Sequence, residues 1–484
     1  MKNKPNILII SLDSVRSDRL SSYGCPRETT PNLDTFAKEG VVFENAFTAA
    51  NWTGASLASI LTGLYPTVHG YTNRRYYLDP DIISVPTILR HNGYSTICFS
   101  NNMYMSDKTG LSQGFDTFLY KGQAESQKND VAKDNDNGFY KKIRDALPMQ
   151  TRFLIKDSLD QFNKPRMLTR DDGAYATELA FKKWIKTRNE DRPFFAYIHY
   201  QEPHSIYFPP YPYRRRFFSG SVLEEGRYLH FDHMGYFAGH KTFTETEVKH
   251  YLELYDGEIA YIDRRLGYIF EILRQNNVMD DTVIFVTSDH GENMGEKGFF
   301  WHAFCLYDKL IRVPLIVRFP KWFEADQRSP DLVQTVDIVP TILDGIGVEW
   351  LYKEDKQGLS FLNGRSRKAA LTETYNPELM IDRWLKRRKD LAKQEFEHYC
   401  RDLRAFQTTE HKFIWASDGW HEFFDMQNDP QERDDLYSSQ NKHVTECKSA
   451  LEEWTGTFKP HVADTSYPGF DKETWNKMRE LGYA

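Results

Sequence analysis

Two acidic residues and a histidine stand behind two apolar runs set far apart in this sequence, one at the N-terminus and one past its middle. Asp13 follows Ile7-Leu-Ile-Ile-Ser-Leu, and Asp289 with His290 follows Thr282-Val-Ile-Phe-Val-Thr-Ser. If both runs are central parallel strands, the three side chains meet at one sheet edge. Two carboxylates and an imidazole suit one divalent ion, manganese first, with zinc, calcium and magnesium also compatible. An aspartate behind a strand is also a common helix cap, so for Asp13 alone both readings stand. The third element is Thr53 in Asn51-Trp-Thr-Gly-Ala-Ser, just ahead of a helix expected from about Ala55. Free N–H groups and the dipole at a helix N-terminus favour an anion there. Thr53, activated by a metal, could attack an ester and form a covalent intermediate. As a plain N-cap with Ser56 beside it, Thr53 needs no chemistry, and spacing alone favours that reading.

These residues need a scaffold that brings distant segments together. Apolar runs at 7–10, 95–100, 194–199, 282–287 and 314–318 read as buried strands. Helical spacing appears between them at 30–39, 56–61, 172–186 and 245–274. Such alternation predicts an α/β domain with a mostly parallel sheet covered by helices, whose site lies at the carboxyl ends of the strands. The segment 207–237, rich in Tyr, Phe, Pro and Arg, reads as an excursion that covers a pocket, packs structurally or serves a homo-oligomer contact. Beyond Pro340 the pattern changes to strands at 369–374 and 412–416, a charged helix at 381–401 and a terminal helix at 472–481. The expected division is a catalytic domain over 1–364 and a smaller α+β subdomain and tail over 365–484. Asp256 and Asp263, seven apart on the long helix, read as a solvated face rather than a second metal site.

Bulk properties narrow the partners. The chain has 484 residues, 40% hydrophobic and 27% charged, an ordinary globular balance. A net charge of -7 without a long basic tract argues against nucleic acid as an obligate partner. Five scattered cysteines without a CxxC pair suit a reduced compartment. The apolar run at 7–10 is too short for a signal peptide, and no apolar run is long enough to span a membrane, so a cytoplasmic location without a membrane partner is expected.

A family resemblance adds to this reading. Pro5 to Asp13 with Arg16 and Asp18, Leu61-Thr-Gly-Leu-Tyr-Pro-Thr-Val-His-Gly70, Glu202-Pro-His204, Ser288-Asp-His-Gly-Glu292, Arg312-Val-Pro-Leu-Ile316, Val336-Asp-Ile-Val-Pro-Thr341 and Asn428-Asp-Pro-Gln-Glu432 occur in order. Together they resemble the sulfatase branch of the alkaline phosphatase superfamily. The resemblance implies a metal-dependent ester hydrolase with that superfamily's central sheet. It also implies that His204 and His302 stand on the substrate or leaving-group side, as catalytic and substrate-binding residues. His69 lies in a landmark that suits an interior structural role at least as well as catalysis, and Asp337 in one read as a helix cap.

Departures from the family pattern bear on chemistry. Sulfatases of this branch carry Cys or Ser, any residue, Pro, Ser and Arg, with the first residue oxidised to formylglycine. Here the matching positions are Thr53, Gly54, Ala55, Ser56 and Leu57. Threonine cannot become formylglycine, and superfamily relatives with threonine at this position act on phosphorus. Ser14 replaces the second acid of the family's Asp-Asp pair. A family Lys and His are missing where Phe99-Ser-Asn-Asn-Met stands, leaving Asn101 or Asn102 as neutral substrate-side donors. The resulting expectation is a hydrolase of small phosphate or phosphonate esters, diesters first, working through Thr53. The alternatives are a sulfatase without formylglycine, a phospho-group transferase and an inactive binding module.

Overall fold

The structure, a computed structural model, describes residues 4–120, 171–229, 232–352 and 357–461. Its first strand, β1 (Asn6–Leu12), is apolar on both faces and buried from Ile7 onward, as a strand sandwiched between helical layers must be. Seven further strands complete its sheet: β2 (Val41–Phe47), β3 (Ser95–Ser100), β4 (Thr117–Tyr120), β5 (Phe194–Tyr200), β6 (Thr282–Ser288), β9 (Leu315–Arg318) and β10 (Gln327–Gln334). The order is β10-β2-β9-β6-β1-β5-β3-β4. Every adjacent pair is parallel except those made by β9, which runs antiparallel to β2 and β6. A short hairpin of β7 (Asn293–Met294) and β8 (Phe300–Trp301) projects beyond β6.

The helices follow the anticipated alternation. They include α1 (Pro31–Ala37), α2 (Thr53–Thr62), α3 (Ala174–Thr187), α4 (Glu245–Gln275) and α5 (Ile338–Ile346). Two large apolar clusters cover the sheet, Ile7 and Ile9 belonging to one and Leu8 and Ile10 to the other. Side chains alternate across a strand, so β1 supplies both layers. A four-stranded antiparallel sheet of β11 (Ala370–Thr374), β12 (Leu403–Gln407), β13 (His411–Ala416) and β14 (Glu422–Asp425) forms the smaller C-terminal part, with α6 (Glu378–Arg387) and α7 (Lys442–Gly456). All five cysteines are free thiols. No helix among the described residues is long and apolar enough to cross a membrane.

Several expectations are corrected. β2 and β10 escape the search for apolar runs because Glu44 and Asn45 interrupt one and Gln327, Arg328 and Pro330 begin the other at the sheet edge. The charged stretch at 381–401 is divided between α6 and a 3-10 helix, Lys393–Tyr399. The terminal helix expected at 472–481 lies outside the described residues. The described residues of this segment, 207–229 and 232–237, carry short helices, with Tyr207, Phe208, Arg214, Phe218, Tyr228 and Phe237 buried. Asp256 and Asp263 do not lie on a solvated face. Asp256 is buried against Arg19 and Arg27, and Asp263 accepts from the N–H groups of Asn32 and Leu33 at the start of α1.

Candidate active site

β1 and β6 lie side by side, with Leu12 paired to Ser288. The residues that leave the two strands, Asp13 and Asp289, therefore emerge at one edge. The Asp289 N–H donates to the Leu12 carbonyl and the Asp13 N–H to Tyr200, tying β6, β1 and β5 where the strands end. Both aspartates are fully buried. Burial, and then the negative charge of Asp289, push the Asp13 carboxyl well above its ordinary range. Burial also acts against Asp289, but His290, His199 and the Ser14 N–H outweigh it and hold its carboxyl low.

Ser14, where the family pattern has a second acid, adopts a left-handed backbone with φ of 66°. That turn serves both carboxylates. The Ser14 hydroxyl donates to Asp13 Oδ1 at 2.8 Å, and its N–H donates to Asp289 Oδ1 at 3.1 Å. Asn102 donates to Asp13 Oδ2 at 2.9 Å. Asn101 turns the other way and gives its amide to Thr177 on α3. The structure thus brings Asn102, and not Asn101, to the acid pair.

His290 Nδ1 lies 2.8 Å from the Gly291 carbonyl, which assigns the proton to that nitrogen. Its Nε2 lone pair then faces Asp13 Oδ1 at 3.8 Å, Asp289 Oδ2 at 3.7 Å and Thr53 Oγ1 at 3.1 Å. A backbone carbonyl orienting the far nitrogen is the usual support of a metal-ligating histidine. His199 on β5, which the sequence reading passed over, completes the group. Its Nε2 is 3.7 Å from Asp289 Oδ2, and Asp13, His199 and Asp289 each place a ligand atom within 4.8 Å of the others. Asp289 Oδ2 and both ring nitrogens of His199 are buried without a hydrogen-bond partner. Buried polar groups are normally satisfied, so these orphaned atoms fit a cation. Asp13, Asp289 and His199 can hold one divalent ion, with His290 aimed at the same carboxylates.

Thr53 is the first residue of α2, and the N-cap is Trp52 in extended conformation. Thr53 is thus not the N-cap, and its side chain meets His290. The capping alternative for Thr53 is thereby replaced by a contact with the acid and imidazole cluster. The helix is held against the cluster by Ser56, whose hydroxyl donates to the Asp289 carbonyl at 2.6 Å. Gly54 allows this fit, because a Cβ there would lie 2.4 Å from the Trp52 ring and 2.6 Å from Tyr71. The preceding loop is anchored to the smaller sheet, where the Glu373 N–H donates to Ala49 and the Thr372 hydroxyl to Thr48. Leu57 is buried in the apolar core, where a guanidinium would be out of place.

Two further imidazoles extend the cluster beyond His290. The His302 ring centroid is 4.6 Å from that of His290 and 5.0 Å from that of His204. His302 Nδ1 lies 3.1 Å from Glu292 Oε1, while Tyr207 donates to Glu292 Oε2 at 2.8 Å. His204 Nδ1 is 2.7 Å from the Ser205 carbonyl. Burial pushes His204 down to about 3 and His302 well below its ordinary value. Both are therefore neutral near pH 7 rather than the half-protonated acids that an unperturbed histidine suggests, and the one N–H of His204 is the Nδ1–H held by the Ser205 carbonyl. Burial raises the Glu292 carboxyl, and the negative Asp13 and Asp289 add to it. Glu292 and Tyr207 were not singled out from sequence, since their link exists only after the chain turns back across the sheet edge.

The two residues read as structural behave so. His69 is enclosed between the Ser59 hydroxyl and the Tyr71 N–H. Asp337 accepts from the Gln334 and Leu359 N–H groups and pairs with Arg367.

A central mixed sheet carrying a buried acid and imidazole cluster at its carboxyl edge, opposed by a helix N-terminus, defines a hydrolase of the alkaline phosphatase superfamily. The sulfatase family profile matches residues 5–348, and the chain belongs to that family. A second profile, the C-terminal part of N-sulphoglucosamine sulphohydrolase, matches 295–455. The N-acetylglucosamine-6-O-sulfatase of Bacteroides thetaiotaomicron is 24% identical, over 95% of this chain and 88% of its own. The multifunctional alkaline phosphatase superfamily protein PehA of Trinickia caryophylli is 25% identical over 72% and 74% of the two chains. Among solved structures, one holding its substrate D-glucosamine-2-N,6-O-disulfate superposes with a TM-score of 0.69 at 20% identity, covering 94% and 98% of the two chains. The phosphonate monoester hydrolase of Agrobacterium radiobacter superposes at 0.66 with 20% identity, covering 94% and 95%.

Proposed function

We propose that this protein hydrolyses sulfate esters of small organic molecules, sugars first, without formylglycine and with Thr53 in the nucleophile's place. The observation that carries an ester hydrolase is the 3.1 Å contact of Thr53 Oγ1 with His290 Nε2, beside two buried aspartates. Preference for sulfate is supported by the family and by the sulfatase names of most similar proteins. Sequence alone put phosphorus esters ahead, and the relatives reverse that order.

Asp13, Asp289 and His199 would hold the divalent ion, manganese first, which leaves the His290 Nε2 lone pair to take the Thr53 proton. Such an ion supplies a Lewis acid for an ester oxygen and lowers the pKa of a nearby hydroxyl. Thr53 donates its hydroxyl proton toward His290 Nε2 and turns Oγ1 toward the ester. Oγ1 attacks the central atom in line, the bond to the leaving oxygen breaks and that oxygen takes a proton from solvent to leave as the alcohol; water then cleaves the Oγ1 ester, and the oxyanion departs as the proton on His290 returns to Thr53. His302, neutral and buried, offers an N–H bond to an ester oxygen as charge builds there, while His204, whose one N–H is spent on the Ser205 carbonyl, packs against the His302 ring. Glu292 and Tyr207 keep the His302 ring in place.

A second reading, hydrolysis of phosphate diesters or phosphonate esters, is favoured by one observation. Thr53 and Leu57 stand where formylglycine and its supporting arginine would be. Initial rates of the manganese-loaded protein on matched aryl sulfate, phosphodiester, phosphomonoester and phosphonate esters separate the two. A dominant sulfate rate is expected; a dominant phosphorus rate transfers the conclusion to the second reading.

A further inference from the structure

A second concave site lies apart from Thr53, and its wall is divided between charge and apolar surface. It is a cleft of about 530 Å³ between the start of α4, the chain from Arg19 to Arg27, and the turn of the β7–β8 hairpin. It shares no lining residue with the cavity at Thr53, where Arg383 and Trp384 of α6 stand. Small-molecule sites measure about 300–1,000 Å³, and the cleft is of that size. Its apolar wall comes from α4 and the segment before it. Val248 and Leu252 are four apart, which places them together on one helix face, and Phe243 joins them. All three are partly exposed, and Met294 of β7 completes the wall.

Arg19, Arg27 and Lys249 line the same cleft, against the single acid Glu245 among the described residues. Arg19 gives Nε and Nη2 to Asp256, and Arg27 gives Nη1 to the same carboxylate, which is fully buried. One acid thus fixes two guanidiniums without using all their N–H groups. Arg27 Nη2 and Lys249 Nζ lie 3.6 and 3.7 Å from Glu253 Oε1, beyond hydrogen-bond length. Glu253 Oε2 already accepts from the N–H and hydroxyl of Ser219. Guanidiniums held rigid by a buried carboxylate bind a further anion at little cost in ordering, and their planar fork fits a carboxylate. Partly exposed apolar side chains in a concave wall gain by covering a hydrocarbon body. We propose that the cleft binds an organic carboxylate with an apolar body, its head on Arg19, Arg27 and Lys249 and its body against Phe243, Val248 and Leu252. The site stands whether or not Thr53 reacts.

Titration calorimetry of the full chain with octanoate, acetate and octyltrimethylammonium tests this. Acetate offers the head alone, and octyltrimethylammonium offers the body with the opposite charge. Octanoate is expected to bind at least about tenfold more tightly than either. Lys249→Glu should weaken octanoate by about tenfold, and Leu252→Asp by at least as much. Lys249 is well exposed, so its variant decides the matter should Leu252→Asp fail to fold. Octanoate that does not bind, that binds no better than octyltrimethylammonium, or whose affinity Lys249→Glu leaves unchanged overturns the proposal.

Discussion

Two clusters of charge are buried in this protein, and they are built on opposite terms. In one, Lys412 of β13 is fully buried between Asp308 and Glu432, and the Asp308 N–H donates to Glu432 as well. That cluster fastens the smaller sheet to the segment leading from β8 to β9, and its ammonium and carboxylates answer each other. In the other, Asp289 Oδ2 and the whole edge of His199 are buried with nothing to bond, beside an Asp13 whose carboxyl is pushed upward. Burial of charge is costly in both places. The first offsets the cost within the chain; the second holds it open toward a ligand, and Thr53 stands there.

Opposite responses to neutralisation would sharpen that contrast. Asp13→Asn should cut turnover by about a thousandfold or more, while the ion-free protein melts no lower than the unaltered one, since burial and Asp289 already disfavour the Asp13 charge. A clear fall in its melting temperature would place Asp13 with the structural pairs. In the unaltered protein, manganese at about a hundred times its dissociation constant should add about 2.7 kcal/mol of stability, an increment that Asp13→Asn loses. Lys412→Met, in contrast, should cost about 3–5 kcal/mol by denaturant melting, because two carboxylates lose their buried partner. A neutral result there would erase the distinction.

A smaller effect separates the structural histidine from the site. Burial lowers His69 from 6.5 to about 3. A depressed histidine is neutral when folded and takes up a proton on unfolding. Its contribution is therefore complete above about pH 6.5 and lost as pH falls toward the folded value. Between about pH 6.5 and about pH 5 this amounts to about 2 kcal/mol. His69→Gln should flatten that part of the stability profile in denaturant titrations; an unchanged slope would mean the dependence arises elsewhere.

How much of this was legible in sequence follows from the reach of each signal. Asp13, Asp289 and His290 meet because each ends an apolar run, and a parallel sheet collects such ends at one edge. Thr53 was visible as a hydroxyl before a helix, but only the structure distinguishes a cap from a contact with His290. His199 was hidden because Phe-Phe-Ala-Tyr-Ile-His-Tyr reads as a core strand, and a histidine inside it gives no periodic signature. Asp256 and Asp263 were misplaced on a solvated face because helix spacing cannot show that Arg19, Arg27 and the start of α1 pack onto them. Arg383 and Trp384 belong to an amphipathic helix more than 300 residues beyond Thr53, and nothing local announces that they line its cavity.

Thr53 tests the account most directly, through turnover of an aryl sulfate by manganese-loaded Thr53→Ala and Thr53→Ser. The alanine variant is expected to bind the ion with unchanged affinity and lose turnover by about a thousandfold or more, with serine restoring part of the rate. Undiminished turnover by Thr53→Ala would contradict the central claim, leaving the acid and imidazole cluster without the nucleophile proposed for it.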